Sequence, residues 1–394
     1  MLQRLIHSAR VNVFESARFY YWVLWILIGY SIVREVVQKF TLVYFIEPFI
    51  FPREIVGVLF FVFAFCSIIS AWVLRWEIDK IFYTLIGTIV AISLVNELRS
   101  ASRMTDYNLI ESLTRGQIYY AARTVFPFLF LGVWEVLDKG KLQTKKVVFF
   151  IEKLMLLNAV LVLFGGIIAE NSLFQSYVFS ERWGYSGMFF HRIETQLIYG
   201  LLLIYSFHQN KSFNFKSIIF ALMLVVSGQK AGFLWLFLFI FFTYLDTPFK
   251  KLLGYISVGV LVGFSERLLS NLVYFNPFFE RVYNEHGFWW GIFSGRNKAV
   301  ENLYVNDLQN IHLLDWAIGG ISRFPKDVEI LPVDIFIYFG LLGLGVCVWF
   351  FRNWLPSIKW SIPLIVACLA GDLFGYPLMI LFYGFFVTLN RSRA

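Results

Sequence analysis

Basic side chains in three segments of this sequence have the chemistry of an anion-binding site. The first segment carries Arg182 and Arg192, a Ser-Gly-Gln-Lys-Ala-Gly turn carries Lys230, and a third segment carries Arg281 and Arg296. A guanidinium group offers a planar fork of donors that matches phosphate or carboxylate, and an ammonium group offers a compact charge. These residues therefore predict that the protein holds an anionic ligand.

Motifs typical of soluble enzymes are missing from the sequence. It contains no Walker loop, no dinucleotide-binding glycine pattern, no G-x-S-x-G and no H-E-x-x-H. The five histidines are scattered without the spacing of metal ligands. We therefore expect neither a metal nor a cofactor, and the anion would be held by protein groups alone.

Long apolar runs must position these side chains. The 394 residues are 59% hydrophobic and 20% aromatic but only 15% charged, and apolar runs recur along the whole chain. Such runs indicate transmembrane helices, so we predict an all-α polytopic membrane protein, a single integral membrane domain over residues 1–394. The predicted spans, about twelve, lie near residues 19–33, 55–74, 81–95, 118–136, 147–169, 193–207, 213–227, 231–245, 252–264, 331–351, 358–371 and 376–389.

The basic residues also predict an orientation. An even number of spans places both termini on one side, and the short loops on that side, such as KGKLQTKK at 139–146, are rich in lysine. The positive-inside rule makes that side cytoplasmic. Arginine outnumbers lysine on the opposite side, where the segments carrying Arg192 and Lys230 fall. The outer side is thus the predicted anion-binding side, although single arginines there could instead reach lipid headgroups.

Two further features belong to the predicted outer side. A loop over residues 265–330 is much the longest in the chain, is rich in aromatic residues, and predicts a helix over 296–310. Glu194, at the start of the sixth span, would be costly to expose to lipid and should face a cavity or a partner group. The short apolar arms around Lys230 place that residue below the outer surface.

The order of these features over roughly residues 150–350 resembles the O-antigen polymerase and O-antigen ligase family of membrane glycosyltransferases. The segments that carry the resemblance are RWGYSGMFFHRIETQLIYG, VVSGQKAG, SGR, DWAIGGI and VEILPVDIFIYFGLLGLG, in this order. The resemblance implies a GT-C-like architecture in the bacterial inner membrane. It also implies a glycan donor linked to undecaprenyl pyrophosphate, inverting transfer without a metal, and an active site on the periplasmic face.

The resemblance also implies roles for individual residues. Arg182, Arg192, Lys230, Arg296 and, more weakly, Arg281 would bind the pyrophosphate. The general base that activates an acceptor hydroxyl would be Glu329 or Asp334, because the histidine typical of the ligase branch is missing before the helix that follows the long loop. The histidines that remain as substitutes are His191, His286 and His312.

Several functions stay open on this evidence. The favoured one is a polymerase that moves the growing glycan onto the next lipid-linked repeat unit, with a flippase and a chain-length regulator as implied partners. A ligase that transfers glycan to the lipid A core is the alternative within the same class. A polysaccharide flippase or another transporter is the alternative from a different class, because twelve spans are common in carriers. Nothing in the sequence points to nucleic acid.

Overall fold

A computed structural model describes most of the chain. The residues it describes are 25–44, 80–103, 128, 131, 144–176, 184–189, 192–210, 212–244, 250, 252, 254, 256, 277–287, 296–306, 308, 311–320, 330–370 and 377–391. The predicted spans at 55–74, 118–136 and 252–264 lie wholly or mostly outside these residues. The count of twelve spans and the GT-C-like architecture therefore stay predictions.

Within the described residues the chain is almost entirely helical, as predicted, and the only β-pairing there is an isolated bridge between Gln175 and Tyr185. The helices are α1 (25–44), α2 (Lys80–Arg103), α3 (Thr144–Leu161), α4 (Arg192–Asn210), α5 (Phe215–Val226), α6 (Lys230–Tyr244), α7 (Pro277–His286), α8 (Arg296–Asn306), α9 (Leu313–Ile318), α10 (Leu331–Trp354), α11 (Ile362–Ala370) and α12 (Pro377–Arg391). A π-helical segment, Val162–Ile168, extends α3.

Three of these helical segments are long and apolar enough to cross a membrane: Lys80–Arg99, Lys145–Ile168 and Leu331–Trp354. Many large apolar side chains on the helices are exposed, including Leu98, Phe215 and Leu313. Exposed apolar surface of this extent suits a lipid environment and would be a liability in water. The prediction of a membrane protein is thereby supported at the level of its helices.

Helix α1 has the polarity of its faces reversed relative to a helix of a soluble protein. Ile26, Val33 and Phe40 lie on its exposed face, whereas Glu35 and Lys39 are buried. The predicted span ended at residue 33, but the helix continues to at least residue 44. A helix with an apolar outer face and a charged inner face fits a position between lipid and a polar protein interior.

Helices α4, α5 and α6 form an antiparallel group whose two ends are fixed by hydrogen bonds. At one end, Ser217 Oγ lies 3.0 Å from Ser206 Oγ, joining the start of α5 to the end of α4. At the other end, Gln196 Nε2 donates to Ser227 Oγ at 2.7 Å, joining α4 to the turn between α5 and α6. Because α5 has only 12 residues, it spans about 18 Å, less than the roughly 30 Å of a bilayer core.

Aromatic rings fill the core between α2, α10 and α12. Phe82 lies edge-on to Phe350 at 4.9 Å between ring centroids, and Trp354 packs against Tyr383 at 5.9 Å. The hydroxyl of Tyr383 donates to the carbonyl of Trp360 at 2.7 Å, so this buried polar group is paired. Dense aromatic packing of this kind holds α10 in place beside α2.

Candidate anion-binding site

The segment before α4 packs directly onto the turn that carries Lys230. The backbone N–H of Tyr185 donates to the carbonyl of Val226 at 2.9 Å, and Ser176 Oγ donates to the carbonyl of Ser227 at 3.2 Å. Gly184 has a φ of 146°, and a Cβ atom there would lie 2.3 Å from the Ser227 carbonyl oxygen. Only glycine allows this approach, so the segment before α4 and the Lys230 turn meet closely in space.

Asn158, on α3, holds the other side of the same segment. Its Nδ2 donates to the Ser186 carbonyl at 3.1 Å and lies 3.0 Å from the Tyr199 hydroxyl, while its Oδ1 accepts from the Met188 N–H at 2.8 Å. The side chain is fully buried, and the Tyr199 hydroxyl donates onward to the Met155 carbonyl at 3.0 Å. Hydrogen bonds thus hold residues 184–189 to α3 on one side and to the α5–α6 turn on the other.

Lys39 brings a buried amino group from α1 to this segment. Its Nζ donates to Ser186 Oγ at 2.8 Å and to the carbonyl of Gly187, and the residue is only 2% exposed. Glu35, one helical turn earlier, is equally buried and supplies a nearby negative charge. Sequence reasoning missed Lys39 because it lies beyond the predicted span, although the four-residue spacing of Glu35 and Lys39 was a detectable signal.

Arg192 and Lys230 lie at the starts of two neighbouring helices. Arg192 is the first residue of α4 and Lys230 is the first residue of α6. The bond from Gln196 to Ser227 joins these helices one turn after Arg192 and three residues before Lys230. With a rise of 1.5 Å per residue, Arg192 stands about 6 Å along the helix axis from Gln196. Two cations therefore flank the same turn.

The electrostatics of this arrangement favour an anion. The N-terminus of a helix carries a partial positive charge, so a basic residue there raises the local positive potential. Helix α6 has no acidic residue in its first turn, whereas the first turn of α4 contains Glu194, which is buried. Gln229, next to Lys230, is 7% exposed, and its Nε2 finds no hydrogen-bond acceptor in the part of the chain that the structure describes.

The remaining predicted anion ligands lie on the long loop or outside the described residues. Arg296 is half-buried and is the first described residue of α8, whose described residues Arg296–Asn306 fall within the predicted helix 296–310. Arg281 is exposed on α7. Arg182, His191 and Glu329 lie outside the described residues. His286 ends α7 and is exposed there.

A second polar group joins the long loop to α2 and α10. Arg99, near the end of α2, forms a largely buried ion pair with Asp315 of α9, 216 residues away in sequence. The backbone N–H of His312 donates to Asp315 at 3.2 Å, and the His312 side chain in turn caps α9. Sequence reasoning missed Arg99, since nothing local to either residue identifies its partner.

This second group surrounds a break in α10. Gly340 has a φ of 64° and interrupts the helix, and the freed carbonyls before it accept hydrogen bonds from other elements. Gly320 N donates to the carbonyl of Ile337 at 3.0 Å, and Asn96 Nδ2 lies 3.3 Å from the carbonyl of Tyr338. Irregular backbone inside a membrane helix needs such replacement partners.

Asp334 belongs to this second group. It lies in the first turn of α10 and is half-buried, and the ring of Trp316 on α9 packs 5.1 Å from that of Phe336 on the same turn. The partial positive charge at the N-terminus of α10 stabilises the Asp334 carboxylate, so its position there has a structural reason that is independent of proton transfer. Among the described residues, no group of three or more His, Cys, Asp or Glu side chains is placed to hold a metal ion.

The structure places two basic residues at one turn between helices and, on a separate set of contacts, a carboxylate at the start of a broken helix. Anion binding and proton transfer are the chemistry that these groups can perform. The chain matches no model of a known protein family, no curated protein and no solved structure.

Proposed function

We propose that this chain is a membrane glycosyltransferase that uses a glycan donor linked to undecaprenyl pyrophosphate. More narrowly, we propose a polymerase that transfers the growing surface glycan to the next lipid-linked repeat unit at the periplasmic face. The observation that carries the proposal is the convergence of Arg192 and Lys230 at the starts of α4 and α6. Two cations at two helix N-termini suit a doubly charged leaving group.

The chemistry of the transfer would use these groups as follows. The hydroxyl oxygen of the acceptor sugar attacks the anomeric carbon of the donor as the bond from that carbon to the pyrophosphate oxygen breaks. The departing pyrophosphate takes the electron pair, and the cations stabilise its developing charge. A carboxylate, Asp334 or Glu329, accepts the proton from the attacking hydroxyl.

The depth of the turn supports a lipid-linked donor rather than a free sugar nucleotide. Helix α5 is too short to reach both surfaces of a bilayer, so Lys230, three residues after its C-cap, would lie below the outer surface. A pyrophosphate attached to a polyprenyl chain sits at the headgroup level, where such a cation can reach it. Some exposed lysines merely extend to that level, which is why binding must be measured for Lys230 directly.

A transporter is the second candidate, and one observation favours it. The break in α10 at Gly340 resembles the discontinuous helices at which carriers bind substrates. Deleting the gene separates the candidates by the glycan that accumulates. A single repeat on the lipid core indicates a polymerase, lipid-linked chains not joined to the core indicate a ligase, and lipid-linked units held in the cytoplasm indicate a flippase.

Charge-removal variants test the anion site itself. We expect Lys230→Ala and Arg192→Ala to reach the membrane at normal levels but to reduce the surface glycan to a single repeat. Lys216→Ala is the matched control, because Lys216 pairs with Glu152 at the opposite end of the helices. Long-chain glycan from both site variants, measured on a gel, would contradict the proposed role of these cations.

A further inference from the structure

The buried face of α1 carries hydrogen-bonding atoms that the anion site does not use. Ser31, Arg34 and Gln38 are spaced by three and four residues, which places them on one face of the helix. Their Oγ, Nε and Oε1 atoms are shielded from water and have no hydrogen-bond partner in the part of the chain that the structure describes. Buried polar atoms are nearly always paired in folded proteins, so three on one face require an explanation.

The position of this face links it to the anion site. Lys39, one residue after Gln38, donates to Ser186 Oγ in the segment clamped by Asn158. At the other end of the helix, Trp25 packs edge-on against Phe150 of α3, with ring centroids 4.8 Å apart. Helix α1 therefore runs alongside α3, with Ser31, Arg34 and Gln38 on a different side of the helix from Trp25, and its Gln38–Lys39 end lies beside the segment that packs on the Lys230 turn.

The chemistry of the face fits a ligand with many hydroxyl groups better than a lone ion. A serine hydroxyl, a guanidinium N–H and an amide oxygen offer both donors and acceptors, and each lies about one helical turn from the next. The Arg34 guanidinium lies 3.7 Å from the Glu35 carboxylate, so its charge is locally offset. A sugar hydroxyl can both donate and accept, and it could pair with any of the three atoms.

We propose that the buried face of α1, formed by Ser31, Arg34 and Gln38, binds sugar hydroxyls of the lipid-linked glycan whose pyrophosphate lies near Lys230. This inference rests on the proposed function and names the part of the substrate that α1 recognises. Since the three atoms are shielded from water in the ligand-free protein, the helices must part to admit the glycan. Paired with sugar hydroxyls, the three atoms would no longer be unsatisfied, and an analogue without those hydroxyls would bind less tightly.

Removing these atoms should not lower the stability of the ligand-free protein, but it should lower the affinity of the protein for the glycan. An unpaired buried polar atom opposes folding, so replacing it by an apolar group does not destabilise the empty protein. We expect Ser31→Ala and Gln38→Leu to leave the Tm of the ligand-free protein unchanged or to raise it. The same variants should lose about tenfold in affinity for the glycan, because a hydrogen bond is lost from the complex.

The test titrates the purified full-length protein with two lipids. One is undecaprenyl pyrophosphate, and the other is the lipid-linked repeat unit extracted from cells in which the gene has been deleted. We expect Ser31→Ala and Gln38→Leu to weaken binding of the second lipid only, and Lys230→Ala to weaken binding of both. Ser93→Ala is the matched control, since Ser93 is a similarly buried helical serine whose hydroxyl already donates to the Ile89 carbonyl.

The outcomes separate the two hypotheses. If both α1 variants bind the glycan-linked lipid as tightly as the wild type, the inference about α1 is wrong and the proposed function stands. The inference is also wrong if the variants lower the Tm of the ligand-free protein without changing either affinity, because the face is then structural. If the wild type binds neither lipid, the proposed function fails and the inference fails with it.

Discussion

Replacing Asn158 by leucine should release the segment that forms one wall of the anion site. Asn158 is fully buried, and its amide makes hydrogen bonds to Ser186, to Met188 and to the Tyr199 hydroxyl. Two of these bonds, to Ser186 and Met188, hold the segment, and each contributes roughly 1 kcal/mol net, so Asn158→Leu should favour opening of the segment by about 2 kcal/mol. Because about 1.4 kcal/mol corresponds to a factor of ten, the open population should rise about thirtyfold.

A cysteine at position 176 can report this opening. Ser176 is buried against the carbonyl of Ser227, so a thiol there should react with a soluble maleimide only when the segment opens. We compare the labelling rate of Ser176→Cys alone with that of Ser176→Cys combined with Asn158→Leu. The background rate comes from the natural cysteines of the parent protein.

The control for this experiment is Asn353→Leu. Asn353 is exposed, and its amide makes a single local bond to the Trp349 carbonyl at 2.7 Å, so its loss should change the labelling rate less than about threefold. The reasoning is refuted if Asn158→Leu raises the labelling rate no more than Asn353→Leu does. Such a result would mean that other contacts hold the segment closed.

Two further predictions concern the group around the broken helix. Gly340→Ala would put a Cβ 2.4 Å from the Ala317 carbonyl oxygen, so it should lower the free energy of unfolding by more than about 2 kcal/mol and reduce the Tm. The control Gly345→Ala, with open space around it, should be neutral or slightly stabilising. Equal Tm values for the two variants would contradict this prediction. Arg99→Ala should lower the free energy of unfolding by about 3–5 kcal/mol, because it leaves the buried Asp315 carboxylate uncompensated. The double variant Arg99→Ala with Asp315→Leu should recover much of the lost Tm. No recovery would show that the two residues do not act as a pair.

The arrangement of polar residues has a consequence for the whole molecule. Apolar side chains such as Leu98 and Phe215 are exposed, while Asn158, Glu194 and Gln196 are buried. In a lipid environment this distribution places these polar groups against protein and leaves hydrocarbon side chains for lipid. The buried polar face of α1 belongs to the same interior.

Local sequence patterns were enough to predict several elements. The apolar runs predicted the helices, and a helix was predicted over 296–310, where the structure has α8 at Arg296–Asn306. The glycine-rich turn between two short arms predicted the α5–α6 hairpin with Lys230 at its tip. These features depend on residues close together in the chain, whose propensities and periodicity act locally.

Only the tertiary structure decided which distant groups meet. Lys39 contacts Ser186, and Arg99 pairs with Asp315, across separations of 147 and 216 residues. No sequence periodicity predicts such pairs, because each pair depends on how whole helices pack against each other. Once packing shields a polar atom from water, that atom needs a hydrogen-bond partner within the protein. The sequence by itself determined a helical membrane protein with basic residues suited to an anion. The packing of α4 against α5 and α6 determined that two of those basic residues flank one turn, and the position of α1 gave it a buried polar face that the sequence alone did not reveal.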